Sequence, residues 1–262
     1  MSLTITLIQT DLVWENIVAN LTRLEEKINA ISVRTELIVL PEMYSTGFTM
    51  NPEKLAETMD GKAVTWMKRI AASKRVILIG SLAIKEGENY FNRLIWMLPN
   101  GQYSYYDKRH LFAYSGEDKH FLAGNKRLIA QAKGWKINLQ ICYDLRFPVW
   151  ARQQSPEGEV EYDLLIYVAN WPEKRSHAWK SLLMARAIEN QCYVVGVNRV
   201  GDDGNGFFHS GDSTVINPLG DILFSEKDNE AVFTITLKKE NLSAIRNQFP
   251  FLKDADDFSI RR

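Results

Sequence analysis

Cysteine is scarce in this chain: of 262 residues, only Cys142 and Cys192 carry a thiol. Two thiols cannot build the disulfide framework of a small secreted protein, so both are expected to stay reduced, in a cytoplasmic setting. An excess of one charge is missing as well. Lys+Arg and Asp+Glu each count 32, for a formal net charge of zero. Nucleic-acid binders as a rule carry a basic excess, so no nucleic-acid partner is expected. No apolar run approaches the length of a bilayer span, so no membrane partner is expected either. The opening Met-Ser-Leu-Thr-Ile-Thr-Leu-Ile-Gln-Thr lacks a positive n-region, a long apolar stretch and a cleavage site. It alternates like a strand and does not read as a signal peptide. His110, His120, His177 and His209 show no metal-ligand spacing among themselves or with the cysteines, so no metal site is expected. Fixed-period repeats and low-complexity segments are also absent. The longest candidate for a break, residues 153–161, is too short to serve as a linker between domains, and residues 1–262 read as one domain.

What is present is the mix of an ordinary globular protein, 45% hydrophobic and 24% charged, with length enough for a sizeable core. Residues 15–31 place Ile17, Leu21, Leu24, Ile28 and Ile31 on one helical face. Residues 62–73 do the same with Val64, Met67, Ile70 and Ala71, and residues 176–190 with Trp179, Leu182, Leu183 and Ile188. Strands are predicted at 4–8, 37–40, 76–79, 137–141, 164–168, 193–197 and 230–237, with short helices at 146–153 and 242–246. Pro99-Asn100-Gly101 and Pro218-Leu219-Gly220 mark hairpins joining 90–98 to 102–106 and 213–216 to 221–224. Near ten strands is more than one small sheet holds, and the alternation implies an α/β or α+β layered sandwich: two sheets face to face with helices outside.

Several strands stop at a polar residue: Leu40 leads to Glu42, Gly80 to Ser81, Ile141 to Cys142, Ala169 to Asn170 and Val197 to Asn198. Ligands in α/β folds bind beyond the carboxyl ends of strands, so five such ends together mark a rim. Cys142 stands between an apolar strand and a short helix, the setting of a nucleophile elbow. A helix start there would lower the thiol's pKa and face an incoming oxyanion with backbone N–H groups. A lone cysteine is otherwise structural, and Cys192, inside Cys-Tyr-Val-Val-Gly-Val, is read that way. A nucleophilic thiol needs a base and an oxyanion stabiliser. No histidine carries a local mark of that role. Glu42, just after a rigid proline, can serve as base, and Lys108 as a fixed positive charge favouring the thiolate, although by composition alone both are ordinary surface charges. The glycine-rich stretch 201–206 is followed by a strand rather than a helix, so it reads as a flexible connection and not a phosphate loop.

Leu-Pro-Glu-Met-Tyr-Ser-Thr-Gly-Phe (40–48), Tyr-Asp-Lys-Arg-His-Leu-Phe (106–112) and Ile-Cys-Tyr-Asp-Leu-Arg-Phe-Pro (141–148) resemble the three catalytic segments of the nitrilase, or carbon–nitrogen hydrolase, superfamily. They stand in the family's order. The likeness continues through Ala-Asn-Trp-Pro (169–172), Ala-Arg-Ala-Ile-Glu-Asn (185–190) and His-Ser-Gly-Asp-Ser (209–213). It implies a four-layer α-β-β-α sandwich and a homodimer paired through the helical layers. It further implies Glu42 as general base, Lys108 as stabiliser of the tetrahedral intermediate, Cys142 as nucleophile and Tyr143 as an oxyanion N–H donor. Glu117 matches a second glutamate that orients the lysine and the substrate. The chemistry so implied is amide hydrolysis through a thioester, with no cofactor.

The segments around Cys142 and Asn170 look most like the ω-amidase branch, which cleaves the terminal amide of 2-oxoglutaramate or 2-oxosuccinamate. Such a substrate carries a carboxylate, for which Arg146 and Arg175 are the candidate partners, although Arg146 can equally brace the elbow. Tyr44, Phe48 and Trp171 are candidate pocket walls, with plain core as the alternative for each. Other small-amide hydrolases on the same scaffold (aliphatic amidases, N-carbamoyl amide hydrolases, deaminated-glutathione amidases) share the catalytic set and differ only in the pocket. A catalytically silent binding protein is the remaining alternative, and it has no need of Glu42, Lys108 and Cys142 together.

Overall fold

In the first strand, β1 (Ser2–Gln9), Leu3, Ile5 and Leu7 join one apolar cluster while Ile8 joins another. Helix α1 (Ile17–Asn29) follows, capped by the Asn16 side chain, which accepts the Ala19 N–H at 3.0 Å. Strand β2 (Leu37–Val39) repeats the division: Leu37 and Val39 face the first cluster, Ile38 the second. The second cluster also holds Leu24 and Ile28 of α1 with Met67 and Ile70 of a later helix, so one face of this sheet is covered by helices and the other by a second sheet. This division places the layers.

The structure is a computed structural model that describes residues 1–153 and 160–260. After β2 come the short helix α2 (Pro52–Leu55), helix α3 (Lys62–Lys74) and the meander β3 (Ile77–Glu86), β4 (Asn89–Met97) and β5 (Tyr103–Asp107). Next are the one-turn helix α4 (Glu117–His120), the hairpin of β6 (Leu128–Ala132) and β7 (Trp135–Ile141), the short helix α5 (Pro148–Ala151) and β8 (Leu164–Ala169). Helix α6 (Ser176–Asn190) leads to β9 (Tyr193–Asn198), β10 (Val200–Asp202), β11 (Phe208–Ile216), β12 (Ile222–Lys227), β13 (Ala231–Lys238) and α7 (Lys239–Gln248). The first sheet runs β13-β1-β2-β3-β4-β5 and the second β10-β11-β9-β8-β7-β6, with β12 paired to β11. In each, the three central strands are parallel: β1, β2 and β3 in the first, β7, β8 and β9 in the second. Of those in the second sheet, β8 and β9 are buried on both faces and are almost wholly apolar, whereas β7 alternates apolar with polar residues. Helix α6 covers that sheet, and Gly196 lets it approach: a Cβ there would sit 2.6 Å from Leu183 and 2.8 Å from Trp179. The result is the predicted α-β-β-α sandwich.

Some predicted boundaries move, and strands appear that the sequence reading lacked. Strand β3 runs to Glu86 because it pairs with β4 over nine residues, so Ser81 lies mid-strand and not at a strand end. Strand β6 escapes the sequence reading because its turn, Lys133-Gly134, carries neither proline nor asparagine, although both residues have positive φ, as a tight hairpin demands. The helix expected over 146–153 shrinks to α5, preceded by a 3-10 turn over Cys142–Arg146. Of the suspected break at 153–161, residues 154–159 lie outside the described residues.

Candidate active site

Two sharp turns bring the chemistry together. Met43, beside Glu42, and Cys142 both have φ of 42°, a left-handed conformation uncommon for residues with a side chain. The first turn is held by the Met43 N–H donating to Ser81 Oγ at 2.9 Å, so Ser81 supports the rim from below. The second is held by Asp144, which is wholly buried. One Asp144 oxygen accepts the Ile141 N–H at 3.0 Å and the Tyr106 hydroxyl at 2.8 Å; the other accepts the His110 N–H at 2.9 Å and meets His110 Nδ1 at 2.8 Å. Asp144 thereby ties the cysteine turn to the loop that follows Lys108.

Lys108 is fully buried, and its ammonium donates to Glu42 Oε1 at 2.9 Å and to Glu117 Oε1 and Oε2 at 3.0 and 2.9 Å. One hydrogen points to Glu42 and the two Glu117 oxygens, too close together to take one each, share a second, so the third is open toward the cavity. Burial works against the lysine's charge, but Glu117 and then Glu42 outweigh it and hold its pKa above the usual lysine range. Burial raises the Glu117 pKa and Glu42 adds to the rise, with Lys108 opposing both. Glu117 is fixed a second time by the Phe112 N–H at 2.6 Å. Glu42 reaches across to the other sheet: its Oε2 accepts the Asn170 N–H at 2.8 Å, and Asn170 Nδ2 donates to its backbone carbonyl at 2.5 Å.

The Cys142 thiol faces this cluster, with Sγ 3.9 Å from the Asn170 carbonyl oxygen. A helix start predicts a lowered thiol pKa, and the structure reverses that expectation. Burial pushes it up, the Glu42 carboxylate pushes it further, and Lys108 offsets only part of the rise. With no substrate bound, the proton belongs on sulfur with Glu42 as its acceptor. The start of the 3-10 turn leaves the Tyr143 N–H without a partner from a preceding turn.

A cavity of roughly 310 Å³ opens over Cys142, Lys108 and Asn170. Glu42 and Glu117 do not line it and act on it through Lys108 and the thiol. Phe48 and Trp171, two of the expected wall residues, line it together with Tyr143, and Lys108 Nζ lies 5.0 Å from the Phe48 ring centre. Trp171 is positioned by Asn198, whose Oδ1 accepts its backbone N–H at 2.8 Å. Arg146 stacks over Trp171 at 5.0 Å and Arg175 over Phe112 at 5.2 Å, and both line the cavity. Among the described residues neither guanidinium has a carboxylate partner.

Tyr44 is the correction. Its ring is wholly buried among the helices of the outer layer, tilted against Trp66 at 5.8 Å, and it does not reach the cavity. Gly80 leaves the space it occupies: a Cβ there would sit 2.7 Å from the ring. Conversely, the 201–206 stretch is no mere connection, because Asp203 and Asn205 line the cavity together with Phe207 and His209. His209 is pushed down to about 4 by burial and by the nearby Arg199 charge, so its ring is neutral at pH 7. Asn92, wholly buried on β4, contacts both glutamates and carries no sequence mark of a site role.

The family model described as carbon-nitrogen hydrolase matches residues 4–247. The chain is 42% identical over 262 residues to the omega-amidase YafV of Yersinia enterocolitica, covering 99% of both chains. It is 32% identical to the 2-oxoglutaramate amidase of Bacillus subtilis, over 97% of this chain and 98% of that one. In structure it is similar to XC1258 of Xanthomonas campestris, a CN-hydrolase superfamily protein with an arsenic adduct in its active site. The TM-score is 0.97 and the identity 40%, with both chains covered in full.

Proposed function

This chain belongs to the carbon–nitrogen hydrolase family, and we propose that it cleaves the terminal amide of a 2-oxo dicarboxylic acid monoamide, 2-oxoglutaramate or 2-oxosuccinamate, to the acid and ammonia. The observation that carries the reading is the Lys108 ammonium between two buried carboxylates, beside a buried thiol whose proton has a carboxylate acceptor, on the wall of one cavity.

In the first step Glu42 takes the Cys142 proton and the sulfur attacks the amide carbon. The carbonyl electron pair moves to oxygen, where the Lys108 ammonium and the Tyr143 N–H stabilise the oxyanion. Glu42 returns its proton to the amide nitrogen, the C–N bond breaks, and ammonia leaves an acyl thioester on Cys142. In the second step Glu42 takes a proton from water and the hydroxide attacks the thioester carbon. The C–S bond then breaks and the sulfur recovers a proton from Glu42. Glu117 keeps the ammonium in place throughout. A raised thiol pKa suits this scheme, because the proton leaves sulfur only when attack is under way and a base stands ready.

Choice of substrate rests with the far wall. Among the described residues Arg146 and Arg175 have no carboxylate partner, each is flattened on an aromatic ring, and a 2-oxo acid brings a carboxylate to them. We further propose a homodimer paired through the helical layers. Val149 on α5 and Ile188 on α6 are 54% and 49% exposed, and burying them supports that arrangement. Mass spectrometry of acid-quenched enzyme tests the chemistry: an acyl adduct on Cys142, absent without substrate, is expected. An adduct elsewhere, or none during active turnover, would contradict the scheme.

A further inference from the structure

Asn92 stands against both glutamates of the mechanism and has no part in it. Asn92 on β4 is wholly inaccessible, yet its single carboxamide nitrogen donates to Glu42 Oε1 at 2.8 Å and to Glu117 Oε1 at 3.1 Å. Those are two of the oxygens that accept from Lys108 Nζ, at 2.9 and 3.0 Å. Asn92 Nδ2 and Lys108 Nζ therefore alternate with two carboxylate oxygens around a closed four-membered set of hydrogen bonds. The Asn92 main chain adds a further hold, its carbonyl accepting the Lys108 N–H at 3.0 Å.

The orientation of the carboxamide follows from chemistry. Both neighbours are carboxylate oxygens that accept, so only the nitrogen end can face them. Its Oδ1 is left buried without a partner, a cost that a purely structural asparagine would have no cause to carry.

We propose that Asn92 is a positioning residue that keeps Glu42 and Glu117 ionised and in place while Lys108 turns its open hydrogen to the oxyanion. A single ammonium faces two wholly buried carboxylates and must also serve the oxyanion. Because Asn92 donates to one oxygen of each glutamate, both keep a second donor as negative charge develops on the substrate. Without that donor the two buried carboxylates would share one cation, and one would be driven to take up a proton.

The inference rests on the catalytic roles proposed above, and its test is run on whichever small amide the wild type hydrolyses. A wrong substrate then sinks only the substrate reading, while an inactive Cys142→Ala with a wild-type-like Asn92 variant sinks only this one. Asn92→Leu keeps the branched shape and removes both donors. Its kcat is expected to fall about 10- to 100-fold with KM changed by less than about threefold, and the acid limb of its kcat/KM profile to move up by about one pH unit. Asn92→Asp adds a third carboxylate and is expected to move the acid limb further in the same direction. It decides alone if the leucine variant does not fold. A Leu variant with the wild-type profile, or one whose loss of rate tracks loss of folded protein with an unmoved acid limb, overturns the proposal. So does an unmoved acid limb in Asn92→Asp.

Discussion

The carboxylate of Glu42 accepts the backbone N–H of Asn170 at 2.8 Å, and the two residues belong to different sheets. Glu42 follows β2 and Asn170 follows β8, so this contact and its companion from Asn170 Nδ2 to the Glu42 carbonyl fix one strand end against the other. The Glu42 carboxylate and the Cys142 thiol stand in register because the sheets do. Disturbing the sheet interface should therefore register in the chemistry before it registers in gross structure.

Lys108 is the first test. Lys108→Met leaves Glu42 and Glu117 buried together with no cation, which in comparable buried pairs costs about 3–5 kcal/mol. Urea unfolding should show a loss of that order. The rate, if the variant folds, should fall about 100- to 1,000-fold through loss of the oxyanion donor. A stable, active methionine variant would refute the role given to the ammonium.

Tyr106 offers a subtler change. Its hydroxyl donates to Asp144 at 2.8 Å and accepts from Trp150 Nε1 at 2.9 Å and the Arg109 N–H at 3.1 Å. Tyr106→Phe orphans one buried and one partly buried donor and strips one bond from the carboxylate that pins the cysteine turn. A loss of about 1–3 kcal/mol is expected in denaturant, with kcat falling more than KM rises. Stability and kcat both at wild-type levels would show that the Asp144 network does not hold the turn.

The arginines separate binding from chemistry. Arg146→Met and Arg175→Met should each raise KM for 2-oxoglutaramate, with about 10- to 100-fold for the one that meets the carboxylate. Neither should alter turnover of a neutral amide of similar length. Equal losses on both substrates would mean that the guanidinium braces the wall and does not read the carboxylate.

His209 makes a prediction about pH. Its folded pKa of about 4 lies below the ordinary histidine value of 6.5, so the folded state resists its protonation. A group shifted down contributes stability that is full above about pH 6.5 and lost as pH falls toward 4. The difference amounts to about 3 kcal/mol. His209→Gln should flatten the fall in unfolding free energy between pH 7 and pH 4.5; a variant that loses as much as the wild type over that range would contradict it.

Much of this site could be read before the fold. The polar strand ends pointed to the rim and the elbow setting marked Cys142, while Glu42 and Lys108 were singled out, and Glu117 placed at all, through segments that resemble those of the nitrilase superfamily. Tyr44 misled because proximity to Glu42 in sequence does not say which way a side chain leaves a turn; Gly80, on another strand, decides that. Asp203 and Asn205 were unreadable for the converse reason, since composition does not say toward what a hairpin loop folds. Asn92 could not be found at all. Its role comes from β4 pairing beside the Lys108 segment, a long-range register that no local pattern encodes.

In the proposed reaction Cys142, with Glu42 as base and Lys108 as oxyanion donor, hydrolyses the amide of a 2-oxo dicarboxylic acid. Ammonia release from 2-oxoglutaramate by the wild type and by Cys142→Ala measures this most directly. Robust release by the wild type and none above background by the variant is the expected result. Release that survives the loss of the thiol, or a wild type that leaves this amide intact, would contradict it.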